Sequence, residues 1–484
     1  MENPVLKKPL VAIFSLLFSV LFFLNCAPQG EVETGEVVEA SVHPLWNYVH
    51  AEDPDFSYEI VLNEDMGEYH YTVVRMISQN WLSEDLVDET EWWHWVSMVV
   101  PKESTHTTGM VWIGGGSQST KLPERPDRLI LEAALQTNSV VATIHNIPFQ
   151  PLVFANDTFG ERYEDAIIAY GWRKFMEGGA KDQDAHWLAR FPMTRAVKLG
   201  MDVVTEVAFR EYEKEVVNYM VAGASKRGWT TWTTAAVDDR VVAMAPVVID
   251  LLNVEESFKH HWKNYGYWAP AIADYEREGI MDWQGSKEYQ RLNELVEPYS
   301  FLDEYRDIPK MLINAAGDEF FQPDSWKFYW DDLKGEKHIQ YVPNYGHDLS
   351  ESDALPNLIS FYASILNNTT RPKYDWKIEG DKIIVTTDPN QKPASIKLWS
   401  ATNPEERNFM IDRFGPNWTS SEIILNESGK YEVEMKTPEK GYAGYFVEIT
   451  YPGQAPIKVT TGIDVLPREY PFEEFVSDSP KGTR

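Results

Sequence analysis

The run VVNYMVAGASKRGWTTW, Val216 to Trp232, constrains the fold of this chain more than any other stretch. Its β-branched and apolar first half reads as a buried strand, Gly-Ala-Ser as a tight turn, and the residues after it as a helix. Ser225 stands at the apex. A turn of this kind lifts a serine oxygen off the end of a sheet and sets it at a helix N-terminus, where the dipole favours developing negative charge. Gly223 is needed because a strand that reverses into a helix within a few residues leaves no room for a side chain there. The usual form of the turn has a second small residue two places after the serine. Here Arg227 occupies that place, and glycine follows only at Gly228.

Two later segments have the same design. KMLINAAGDEFF, Lys310 to Phe321, is a buried-strand run ending at Gly317 and Asp318, and KHIQYVPNYGHDL, Lys337 to Leu349, is another ending at Gly346 and His347. Serine, acid and histidine therefore occur in the order Ser225, Asp318, His347, each just past a strand, which is the order of α/β-hydrolases. Parallel strands deliver their C-terminal ends to one sheet edge, so separation along the chain is no obstacle. PDSWKFYWDDLKGE, Pro323 to Glu336, predicts a helix between acid and base. Glu319 is the rival of Asp318, one residue out of register. His338 begins a strand and His145 lies on an earlier one, so both suit the base role less well than His347.

Around these segments strands and helices alternate. EYHYTVVRMISQNW and WWHWVSMVVP, about Glu68 to Pro101, predict two antiparallel entry strands, with Trp92, Trp93 and Trp95 as core and His94 as a packed histidine. GMVWIGGGSQS is a strand running into Gly114, Gly115 and Gly116. Glycine there lets backbone approach a substrate oxygen, so Gly115 and Gly116, with the amide of Lys226, are the expected oxyanion hole. Helical DRLILEAALQTNS, DAIIAYGWRKFMEGG and TRAVKLGMDVVTEVAFREY and strands VVATIHNIP and VVAMAPVVI complete a mostly parallel sheet covered on both faces. The fold class is α/β, with a hydrolase domain over residues 56–370. An insertion at about 253–309, rich in Trp and Tyr, stands where a lid is usual. Its adjacent His260 and His261 lack metal-ligand spacing, and neither metal nor cofactor is expected.

From about residue 371 the pattern becomes short alternating strands with turn signals, predicting a small β-sandwich to about 470, then a tail over 471–484 that packs partly and frays. At the other end, Lys7 and Lys8, an apolar Leu10 to Leu24 and Cys26 read as a secretory signal over 1–26, with Cys26 as a possible lipid attachment point and a linker over 27–55. Cys26 is the only cysteine, which excludes a disulfide within the chain. A formal charge of −31 argues against nucleic acid and anionic membranes as partners and suits an exported protein of the periplasm or cell envelope.

GASKRGWTTW, the IGGG turn, NAAGDEFFQPDSW, YVPNYGHDL and KLWSATNPEERNF together resemble the PhoPQ-activated pathogenicity-related family. The resemblance implies an exported α/β-hydrolase-like domain followed by an immunoglobulin-like one, with Ser225, Asp318 and His347 on the family's serine, acid and histidine. Arg227 is shared with the family pattern. The expectation is a serine hydrolase acting on a small-molecule or peptide ester or amide, with a catalytically silent binding protein as the alternative. A peptidase would need an acidic pair for a peptide terminus, and the sequence offers none that can be assigned. No protein partner is indicated.

Overall fold

The computed structural model describes residues 42–453 and 456–484. The signal segment, Cys26 and the first part of the linker lie outside the described residues. Helix α1 (Pro44–His50) falls within the stretch expected to be linker, and it buries Leu45 and Val49. Strand β1 (Ser57–Asp65) was likewise not foreseen. It has a single half-buried face and a run of acidic residues, a weak pattern typical of an edge strand.

The expected elements follow: β2 (Tyr69–Asn80), β3 (Glu91–Pro101), β4 (Thr108–Ile113), α2 (Arg128–Thr137) and β5 (Val141–Ile144). After a two-residue hairpin, β6 (Leu152–Val153) and β7 (Glu161–Arg162), come α3 (Asp165–Glu177), α4 (Arg190–Tyr212), β8 (Asn218–Ala224), α5 (Lys226–Val237) and β9 (Val241–Val247). The insertion holds α6 (Val254–Tyr265), α7 (Ala273–Arg277) and α8 (Lys287–Val296), before β10 (Lys310–Ala315), β11 (Lys337–Val342) and α9 (Ala354–Leu366).

Among the described residues the main sheet has nine strands in the order β1-β2-β3-β5-β4-β8-β9-β10-β11. It is antiparallel from β1 through the β3–β5 pair and parallel from β5 to β11. The step from β4 to β5 runs one way along the sheet, and the steps from β5 to β8 and on to β9 run the other. Right-handed connections then put α2 on one face and α4 and α5 on the opposite one. The reversal opens a crevice between the C-terminal ends of β4 and β8, the place where open α/β sheets bind ligands. The loops that leave those two strands carry Gly114–Gly116 and Ser225.

The C-terminal part holds β12 (Tyr374–Glu379), β13 (Lys382–Thr387), β14 (Ser395–Asn403), a short α10 (Ile411–Phe414), β15 (Thr419–Glu422), β16 (Lys430–Glu434), β17 (Tyr442–Tyr451), β18 (Ile457–Thr460) and β19 (Asp464–Leu466). They form a three-stranded antiparallel sheet, β12-β13-β16, and a second, β15-β14-β17-β18, with β19 also paired to β17. This β unit is fastened to the main sheet. Asn357 exchanges hydrogen bonds with Lys458 at 2.8 and 2.9 Å, and Tyr341 N donates to Thr460 Oγ1 at 3.1 Å.

The segment 323–336 is not the regular helix its spacing predicts. It winds as successive turns, with only Ser325–Phe328 regular. Trp326 and Trp330 still share a face, and both meet Trp376 of the β unit, with ring centroids 4.7 and 5.7 Å away. Lys337 Nζ takes the carbonyls of Trp330 and Leu333, which a continuing helix would have used. The tail does not fray as expected. Lys287 N donates to Thr483 O at 2.8 Å and Thr483 N donates to Glu288 Oε2 at 2.7 Å, so the insertion's first helical turn on α8 holds the tail to its penultimate residue.

Candidate active site

Ser225 sits between β8 and α5 with φ 59° and ψ −127°, a strained conformation for a residue with a Cβ. The packing beneath it explains the glycines. A Cβ on Gly223 would lie 2.8 Å from the Arg227 carbonyl oxygen, and one on Gly228 would lie 2.9 Å from the Gly223 oxygen and 2.8 Å from Ile249 Cγ2. Gly228, rather than the residue two places after the serine, therefore provides the second close approach. That leaves position 227 free to carry a long side chain.

Arg227 uses that freedom to tie the elbow to its surroundings. Its Nε donates to Ile147 O at 2.6 Å and its Nη2 to Glu164 Oε1 at 2.6 Å, and a Cβ on Gly115 would stand 2.7 Å from the guanidinium. Gln150 Nε2 bridges the Gly116 carbonyl at 2.7 Å and the same Glu164 at 2.8 Å. The glycine turn after β4 is thus braced from below by Arg227, Glu164 and Gln150. Burial raises the Glu164 carboxyl, but the charges of Arg227 and Lys226 outweigh it and hold the group below its ordinary range. Among the described residues the amides of Gly115 and Gly116 donate to no protein group. The Lys226 amide, at the first position of α5, is one of the donors a helix leaves open.

Across the crevice, Asp318 follows β10 and His347 follows β11. His347 Nδ1 lies 3.0 and 2.9 Å from the two carboxylate oxygens of Asp318, which also accepts the amides of Phe320 at 2.8 Å and Phe321 at 3.3 Å. Glu319 takes a different part: its Oε2 accepts the backbone amide of His347 at 2.7 Å and so clamps the loop. Phe320 lies against the imidazole with centroids 4.4 Å apart. Burial pulls the His347 pKa down, but the charge and hydrogen bond of Asp318 outweigh it, and the imidazole titrates above its ordinary value. Its Nε2 meets no partner among the described residues, and no hydrogen bond joins it to the Ser225 hydroxyl. Three other histidines are each engaged through at least one ring nitrogen, although His338 Nδ1 meets no partner among the described residues. His145 Nε2 lies 2.9 Å from Ser97 Oγ, His94 is buried between Ser78 and the His145 carbonyl, and His338 faces Glu336 at 3.1 Å. The expectation that His94 is a packed residue holds.

Two cavities meet this crevice. One, of about 440 Å³, is largely apolar and is lined by Trp112, Val248, Ile313, Leu355, Leu358 and His347. The other, of about 40 Å³, is lined by Ser225, Lys226, Asp165 and Arg190 and covered by Phe258 and Tyr275 of the insertion. Lys226 Nζ lies 3.0 Å from both Glu164 Oε2 and Asp165 Oδ2. Sequence reasoning missed Arg190, Glu164 and Asp165. The visible signal was the acidic start of α3 at Glu164-Asp165, which reads as ordinary helix-end charge until β8 and α3 are seen together. Among the described residues no group of three or more His, Cys, Asp or Glu is placed to hold a metal ion.

The sequence model of the PhoPQ-activated pathogenicity-related protein family matches residues 45–410. The chain belongs to this family. It is also 33% identical over 461 residues to the autocrine proliferation repressor protein A of Dictyostelium discoideum, covering 89% of this chain and 91% of that protein. Among solved structures it is similar to an acetyl xylan esterase from Paenibacillus sp. R4, at 14% identity, 66% of this chain, 92% of that one and a TM-score of 0.44. It is also similar to acetyl xylan esterase 1 from Thermoanaerobacterium sp. JW/SL YS485, at 15% identity, 66% of this chain, 92% of that one and a TM-score of 0.43.

Proposed function

We propose that this family member is an exported serine hydrolase that transfers an acyl group to water. Ser225 Oγ attacks the carbonyl carbon while His347 Nε2 takes its proton, Asp318 fixes the imidazole through Nδ1, and the amides of Gly115, Gly116 and Lys226 receive the oxyanion. The C–O or C–N bond then breaks as His347 returns the proton to the leaving group, and water reverses the sequence to free Ser225. The observation that carries this reading is the His347 imidazole: one nitrogen is held by a buried carboxylate and the other is left unbonded, on the sheet edge where Ser225 stands. The insertion acts as a lid through Phe258 and Tyr275, and the C-terminal β unit, an immunoglobulin-like sandwich, braces the loops that hold acid and base. Its Ile411 N donates to Gly317 O at 2.8 Å, and its Trp418 N donates to Asn344 Oδ1 at 2.8 Å.

The test is turnover of short-chain 4-methylumbelliferyl esters by the purified protein and by Ser225→Ala. A loss of at least about 10³-fold in kcat is expected in the variant; an unchanged rate removes Ser225 from the mechanism. The missing hydrogen bond between Ser225 and His347 favours a second reading, a catalytically silent binding protein. A correctly folded wild type that turns over none of the esters selects it. Export and lipid attachment at Cys26 are part of the proposal, and the N-terminal mass of the mature protein checks them. A start at a lipidated Cys26 is expected, and a retained Met1 contradicts both.

A further inference from the structure

We propose that the small cavity beside Ser225 is an anion subsite built on Arg190, which selects acyl groups that end in a carboxylate. The inference rests on the serine-hydrolase reading and adds to it a class of substrate.

Arg190 opens α4 and is 1% exposed. Its Nη1 donates to the Lys226 carbonyl at 2.5 Å, its face lies 4.4 Å from the Trp229 ring centroid, and its Nε meets no partner among the described residues. The nearby carboxylates are engaged elsewhere. Glu164 is taken by Arg227 and Lys226, and Asp165 by Lys226 Nζ at 3.0 Å and by Tyr275 Oη at 2.9 Å. Among the described residues Arg190 is thus the cation of this group with no carboxylate in ion-pair distance, beside a His261 kept neutral by burial, in a chain whose formal charge is −31. A buried guanidinium with open donors is costly unless something pairs with it, and a carboxylate matches its fork.

Position decides which half of the substrate this is. In the proposed mechanism His347 protonates the leaving group, and that half of the substrate is assigned to the large apolar cavity, which His347 also lines. The acyl half then points to the Ser225 side, into the cavity of about 40 Å³ that Arg190 and Lys226 line. In the reaction the ester C–O bond breaks, the alcohol leaves with the proton from His347, and water releases a dicarboxylic acid from Ser225.

The experiment compares kcat/KM for 4-methylumbelliferyl hemisuccinate and its uncharged isostere, the 4-methylpentanoate. It also measures succinate binding to Ser225→Ala by calorimetry. The wild type is expected to prefer the hemisuccinate at least tenfold, Arg190→Met to lose that preference, and Arg190→Lys to keep part of it. Succinate is expected to bind Ser225→Ala and not Ser225→Ala/Arg190→Met. If Arg190→Met fails to fold, the wild-type ratio and succinate binding by Ser225→Ala decide. Hydrolysis of both esters without preference, and no succinate binding, overturns the subsite while leaving the hydrolase reading in place. Succinate binding that depends on Arg190, in a protein that cleaves neither ester, upholds the subsite and overturns the hydrolase reading.

Discussion

Among the described residues two histidine–aspartate pairs are of nearly equal length, yet they differ in burial, in the bonding of the second nitrogen and in what else holds the carboxylate. His347 meets Asp318 at 2.9 Å and His260 meets Asp324 at 2.8 Å. The His347 side chain is 22% exposed and its second nitrogen is unbonded. His260 is sealed between the insertion, the acid loop and the C-terminal part, with its second nitrogen 3.0 Å from Tyr470 Oη. The carboxylates differ too. Asp324 is shared with Arg407 and Lys327, each 2.7 Å away, whereas among the described residues no Lys or Arg pairs with Asp318. The result is opposite titration: Asp318 lifts His347 above its ordinary value, whereas burial drives His260 down to about 4. A short contact between these residue types does not make a catalytic base. The pairs differ in whether the second nitrogen is bonded and whether a cation shares the carboxylate.

Substitution separates the pairs most sharply. His347→Ala is expected to lower kcat by about 10⁶-fold, and Asp318→Asn by about 10⁴-fold, each with little change in melting temperature. His260→Ala should do the reverse, costing about 1–3 kcal/mol of stability by leaving Asp324 and Tyr470 short of a partner while the remaining folded protein still turns over ester. A His260 variant that melts normally but is inactive would break the comparison. Calorimetric melting alongside the rate assay distinguishes these outcomes.

Acidity sharpens it further. In the proposed mechanism the neutral form of His347 is the base, and its pKa is raised, so the acid limb of kcat/KM is expected to have its midpoint above 6.5. His260 acts on stability in the other direction. Between about pH 6.5 and 4 the unfolded chain binds a proton there that the native state refuses, so stability falls as pH drops through that window. Denaturant midpoints measured across the window should flatten in His260→Gln. Two smaller effects concern the loops. Arg227→Leu frees the glycine turn and should lower kcat by about ten- to a hundredfold. Glu319→Gln keeps an acceptor for the His347 amide and should cost only about two- to threefold, an order set by the modest net worth of one such hydrogen bond. A Glu319→Gln loss as large as that of Asp318→Asn would mean that the two acids had been assigned the wrong roles.

Much of this was legible along the chain because Ser225, Asp318 and His347 each follow a continuous apolar strand and a glycine, a local signal. Arg190 and Glu164 were not, because their partners stand 36 and 63 residues away and only the fold brings them together. Helix α1 and strand β1 escaped because half-buried edges carry weak periodicity. The segment 323–336 misled in an instructive way: its aromatic spacing is helical and two of its tryptophans do share a face, but docking to Trp376 and capture of its carbonyls by Lys337 win over a regular helix. Arg227 stands where the usual form of the turn has a small residue, yet Gly228 fills the tight position and frees the arginine to brace the glycine turn.

The most direct test of the central claim, that Ser225 is activated by the open His347 and not by the sealed His260, is labelling with a fluorophosphonate followed by peptide mass mapping. Wild type and His260→Gln should be modified at Ser225, while His347→Ala and Ser225→Ala remain unmodified. Equal labelling of His347→Ala, or none in a folded wild type, would contradict the account.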